Sequence, residues 1–130
     1  LYDLSVELLK NRGIWDRTLE SEAEISKSEL KDLLQSVLDV ETRLVPAIST
    51  KMKEVDFDVL FITGVGEVFP YIRSHTVLNN LQSTAKEKPT IMFFPGEYRQ
   101  SAEKGSSLNL FGKLLDDNYY RAFDIYKHFN

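Results

Sequence analysis

Phe57-Asp58-Val59-Leu60-Phe61-Ile62 is a short run of β-branched and aromatic residues that stops at Thr63-Gly64-Val65-Gly66. Such a run, closed by glycines that permit unusual backbone angles, reads as a buried strand entering a loop. A second run of the same kind, Thr90-Ile91-Met92-Phe93-Phe94, is broken by Pro95-Gly96. Between them Tyr71, Ile72, Val77, Leu78 and Leu81 recur at helical spacing, which predicts a helix over 70–82. Strand, helix, strand in that order implies a parallel pair joined by a crossover. A third strand is expected near 120–126, and Gln100–Ser107 reads as a polar loop. The expected fold is therefore α/β. It is a small three-layer arrangement with a mostly parallel sheet, its strands near 57–63, 90–94 and 120–126, flanked by helices.

The half preceding the first strand reads as helices. Leu1, Leu4, Leu8 and Leu9 form one stripe, and Gly13 stands where a helix stop is expected. A polar, acidic stretch from Glu20 to Ser28 follows. Ser26 and Glu29 have capping-box spacing, ahead of a stripe of Leu30, Leu33, Leu34, Val37 and Leu38. A further helix is expected over 42–54, with Pro46 near its first turn and Leu44, Val45, Ile48 and Met52 inward.

At 130 residues, with 42% apolar and 28% charged side chains, the chain has the size and composition of a single globular domain over 1–130. It contains no cysteine, so disulfides and thiolate metal sites are excluded, and a cytoplasmic location is the compatible expectation. No apolar run is long enough to span a bilayer. Net charge is −4, and the acid excess is concentrated in residues 1–65, with 8 basic and 13 acidic side chains. Nucleic acid binding calls for a basic footprint, which this charge opposes, although Arg73, Arg99, Lys113 and Arg121 lie in the more neutral half.

In open parallel sheets, ligands bind beyond the carboxyl ends of the strands. That rule nominates Thr63, Gly64, Gly66, Glu67, Arg73 and His75 after the first strand, and Pro95, Gly96, Glu97 and Tyr98 after the second. Gly64-Val65-Gly66 lacks the third glycine of a dinucleotide fingerprint, since Phe69 takes its place, and lacks the Lys-Ser/Thr pair of a P-loop. A tight turn outweighs a phosphate cradle there. Arg73-Ser74-His75 has the chemistry to meet phosphate or carboxylate, but bracing of loops is the stronger reading. His75 and His128 are the only histidines, and neither has metal-ligand spacing. Glu67 and Glu97 are a conceivable carboxylate pair. Asn79-Asn80, poor helix formers, read as a buried polar brace. Asp116-Asp117-Asn118 invites a hard-cation reading that capping and turn formation explain better. Tyr119, Tyr120 and Arg121 suit a partner interface. No catalytic set, cofactor site or metal site emerges.

Several phrases, taken in order, carry a resemblance. These are Phe61-Ile62-Thr63-Gly64-Val65-Gly66-Glu67-Val68-Phe69-Pro70 with Tyr71-Ile72-Arg73-Ser74-His75, then Leu78-Asn79-Asn80-Leu81-Gln82 and Phe93-Phe94-Pro95-Gly96-Glu97-Tyr98. Leu108-Asn109-Leu110-Phe111-Gly112 and Asp116-Asp117-Asn118-Tyr119-Tyr120-Arg121-Ala122-Phe123 complete the series. Over 57–126 the chain resembles the BrxB family, formerly known as a domain of unknown function, with looser similarity across the helical half. The resemblance implies a role in BREX, a bacteriophage-defence system, as a non-catalytic assembly component beside PglZ first, then PglX or BrxC. It implies no catalytic residue set and no membrane. It also implies that family members carry further N-terminal sequence, so that 1–130 corresponds to the C-terminal two-thirds of a longer protein. Arg99–Ser107 is longer than the family's usual link. Two other classes of function stay open at this level: a nucleotide- or phosphate-binding domain, and a metal-dependent hydrolase or nuclease using Glu67, Glu97, Asp116 or Asp117.

Overall fold

A computed structural model describes residues 1–103, 105–118 and 121–129, and their side chains except those of 115–118. It is a mixed α/β structure that divides into two compact units, Leu1–Phe93 and Phe94–Asn130.

The first unit opens with helix α1, Tyr2–Asn11. It stops where glycine predicts: Gly13 has φ +69°, its N–H donates to the Lys10 carbonyl at 2.9 Å, and the Ile14 N–H donates to the Leu9 carbonyl at 3.1 Å. Those paired bonds satisfy carbonyls that the helix end would otherwise orphan. Helix α2, Trp15–Glu22, extends into the stretch expected to be only polar; it buries no residue, so its apolar stripe is too thin to show in the sequence. Helix α3, Lys27–Val37, starts on the full capping box. The Glu29 N–H donates to Ser26 Oγ at 3.2 Å, and Glu29 Oε2 accepts from the Ser26 N–H at 2.8 Å. Leu30, Leu34 and Leu38 are buried, while Leu33 stays exposed.

The helix expected over 42–54 has a wider start. Val40–Leu44 is a π-helical turn, and helix α4, Val45–Glu54, continues from it with Pro46 in its first turn. Strands β1, Leu60–Ile62, and β2, Thr90–Met92, pair in parallel, with Phe61 opposite Ile91. Helix α5 runs Ser74–Leu81, beginning later than the expected residue 70. Residues 65–72 instead fold into turns in which the Tyr71 and Ile72 N–H groups both donate to the Val68 carbonyl. Leu44, Ile72 and Val77 are fully enclosed, so the core lies where the π turn, the 65–72 turns and α5 meet.

The second unit departs from expectation. Three strands, β3 (Gly96–Ser101), β4 (Gly105–Leu110) and β5 (Leu114–Asn118), form an antiparallel sheet in the order β3-β4-β5. Among the described residues parallel pairing is thus confined to β1 and β2, and the sheet content there is not mostly parallel. No strand occupies the described residues of 120–126; instead Ile125–Phe129 forms a short helix, α6. Gln100–Ser107 is largely strand. Its alternation was hidden because serine does part of the apolar work: Ser106, Leu108 and Leu110 are buried along β4, with Ser107 and Asn109 between them half-buried. Gly105 at φ +73° reverses the chain between β3 and β4. Phe111 at φ +54° and Gly112 at φ +69° do the same between β4 and β5, the left-handed pair that suits a tight hairpin.

Candidate functional site

The loop after β1 is built by close backbone packing. The Thr63 carbonyl accepts from the Leu1 backbone nitrogen at 2.7 Å. Gly64 has φ +75°, and a Cβ there would lie 3.1 Å from the Tyr2 nitrogen and 3.3 Å from the Leu1 nitrogen. Glycine is therefore needed for the start of α1 to approach. Gly66 and Glu67 continue in the turns, Glu67 exposed, and the next helix begins only at Ser74. A phosphate cradle needs the glycine loop to run straight into a helix N-terminus. That juxtaposition is not made.

Arg73, Ser74 and His75 are all engaged. The Arg73 guanidinium sits 5.9 Å from the Phe69 ring centroid, and His75 Nε2 lies 3.1 Å from Thr76 Oγ1. Asn80 Nδ2 donates to the Thr76 carbonyl at 2.8 Å, one turn back in its own helix, and Asn79 is exposed. Bracing across to the neighbouring loop falls to Gln35, whose Nε2 donates to the Pro70 carbonyl at 3.1 Å. Arg73, Thr76 and Asn80 face Gln35, Asp39 and Glu41 across an open cleft of about 230 Å³. Asp39 is committed to the π turn: Oδ1 accepts from the Thr42 hydroxyl at 2.7 Å and the Thr42 N–H at 2.8 Å, and these bonds hold its carboxyl below the usual range.

β1 and β2 are parallel neighbours, so Thr63 and Phe93 leave the sheet at the same edge. Pro95, Gly96, Glu97 and Tyr98 belong to the second unit and have structural surroundings there. Pro95 accepts the Phe111 N–H at 2.7 Å. A Cβ on Gly96 would collide with the Asn109 carbonyl oxygen, so only glycine fits β3 to β4 at that point. Glu97 is exposed and ion-paired to Arg99 at 2.6 Å. Tyr98 is a core residue, paired across the sheet with Leu108. It is not an exposed anchor. Asp116, Asp117 and Asn118 lie on the β5 backbone, their side chains outside the described set, and Tyr119 and Tyr120 lie outside the described residues. Arg121 is exposed and engaged. Among the described residues, no three His, Asp or Glu side chains converge as a metal site.

Two apolar surfaces were missed. On β1 and β2, Phe61 and Phe93 are 58% and 57% exposed, their ring centroids 5.9 Å apart, where the sequence suggested buried strands. Near the C-terminus Phe123, Tyr126 and Phe129 are 65%, 83% and 79% exposed. His128 lies between Phe123 and Phe129, its ring 5.2 and 5.3 Å from theirs. The three-residue spacing of 123, 126 and 129 was a readable signal, obscured by reading 120–126 as a strand.

The family model described as "BREX protein BrxB" matches residues 1–125, so the similarity includes the helical half. A BREX protein BrxB of Bacillus cereus (strain H3081.97) is 37% identical over 128 residues, covering 96% of this chain and 63% of that protein. One of Escherichia coli O9:H4 (strain HS) is 28% identical over 125 residues, covering 96% and 60%. The chain thus spans about three-fifths of the length of these relatives. No solved structure matches it. No helix among the described residues is long and apolar enough to cross a membrane.

Proposed function

Since the chain belongs to the BrxB family of BREX proteins, we propose that it is a non-catalytic assembly component of a BREX bacteriophage-defence system in the cytoplasm. It works by docking on other BREX proteins, PglZ first, with PglX or BrxC as the other candidates. In this reading residues 1–130 form the C-terminal two-thirds of a longer protein.

The observation that carries the docking is the exposed aromatic group of Phe123, Tyr126 and Phe129. Large aromatic side chains anchor interfaces because they bury much area for few lost rotations. Asp124 caps the start of helix α6, its Oδ1 accepting from the Tyr126 N–H at 3.0 Å, and Lys127 Nζ links the helix to β3 by donating to the Tyr98 carbonyl at 3.3 Å.

The test is co-elution of the full-length protein with purified PglZ, PglX and BrxC. A stable complex is expected with at least one, and a Phe123→Ser, Tyr126→Ser, Phe129→Ser variant should lose it at unchanged melting temperature. Full retention by the variant, or no complex with any component, would contradict the reading.

A further inference from the structure

Strand β1 has one edge in use. Toward β2, the Leu60 N–H donates to the Pro89 carbonyl and the Ile62 carbonyl accepts from Phe93, each at 2.9 Å. Alternate residues of a strand turn their N–H and C=O to opposite edges. The amide and carbonyl of Phe61 therefore point away from β2, and no described residue bonds them. Thr63, next on that side, has its carbonyl held by the Leu1 nitrogen. Along this edge runs a groove of about 310 Å³, lined by apolar side chains including Leu4, Met52, Val55, Phe57 and Val59.

Parallel strands are ordinarily covered on both faces, and a bare strand edge is a template for pairing. Here the edge, the groove and the Phe61–Phe93 face are open together. The relatives offer an occupant: this chain covers only 63% and 60% of their lengths. What remains is ample for a strand of about 5–6 residues and its connection.

We propose that the open edge of β1 takes a third strand from the portion of the family's polypeptide that residues 1–130 do not span. That segment is extended and alternates apolar residues, which lie in the groove against Val55 and Phe57, while its backbone pairs with Phe61. The inference rests on family membership and not on the docking reading.

Amide hydrogen exchange on the isolated full-length gene product tests it. The Phe61 amide should exchange at least about 100-fold more slowly than in an unstructured chain, as strand interiors do. Val55→Asp, harmless on a bare surface, should lower the melting temperature by roughly 4 °C or more. Free exchange at Phe61 with no effect of Val55→Asp would overturn the proposal. So would protection that appears only when PglZ, PglX or BrxC is added, which would make the occupant a partner. Protection that rises with protein concentration would make it a second copy and overturn the proposal as well. Because the protein is measured alone, failure to dock on any BREX protein leaves this result untouched.

Discussion

In Leu1–Phe93, Leu44, Ile72 and Val77 are enclosed by segments far apart in sequence, and what stays bare is mainly a strand edge and the face beside it. In Phe94–Asn130, the described burial comes from Tyr98 on β3 and from Ser106, Leu108 and Leu110 on β4, and what stays bare is a set of aromatic side chains. The first kind of exposure leaves backbone groups unpaired, which is how an unfinished sheet looks. The second leaves rings outside a hydrogen-bonded frame, which is how a docking surface looks. In the proposed reading, the difference separates completion of the fold from contact with a partner.

The comparison breaks most readily at the core. Leu44→Ala should cost about 2–5 kcal/mol in urea unfolding, since a fully enclosed leucine leaves a cavity that the surroundings only partly fill. A loss near zero would mean that the first unit is looser than its burial says. Gly96→Ala comes next, at about 1–3 kcal/mol, because its Cβ meets a strand carbonyl that has no room to retreat. If that variant is neutral, the β3–β4 register is not the one described.

Phe111 sharpens the second unit. It holds a left-handed conformation that costs a side-chain-bearing residue about 1–2 kcal/mol, with its ring half outside. Phe111→Gly should therefore raise stability by about 1 kcal/mol. A gain in stability joined to weaker docking would extend the partner surface to this hairpin.

The smallest effect is acid sensitivity in the first unit. Asp39 and Glu29 have carboxyls held below their usual values by hydrogen bonds to Thr42 and to Ser26. A folded-state pKa below the unfolded one stabilises above the unfolded value, about 3.9 for Asp, and that contribution is lost as pH falls through the folded value. The melting temperature should thus fall below about pH 4 less steeply in an Asp39→Asn, Glu29→Gln variant than in the parent. Equal slopes would show that these caps do not bear on acid stability.

Local rules made part of this legible. Gly13 ends α1 as glycine at a helix stop does, Ser26 and Glu29 start α3 as a capping box, and two β-branched runs became β1 and β2. What stayed hidden depended on context. Helix α2 buries nothing, so it left no stripe, and β3–β5 carry serines, asparagine and charges at strand positions. Of the loop residues found as positions, three have a packing role that the sequence did not show: Gly64 admits α1, Gly96 admits β4, and Tyr98 fills the core. The exposed rings of Phe123, Tyr126 and Phe129 were unreadable as a surface while their segment was taken for a strand.

The most direct test of the docking account places a photo-crosslinking phenylalanine at position 126 of the full-length protein in cells that carry the BREX locus. The account predicts a covalent adduct to PglZ, PglX or BrxC that a substitution at the buried Leu108 side of the sheet does not give. Illumination that yields no adduct to any BREX protein, while the same probe at position 61 captures one, would contradict it.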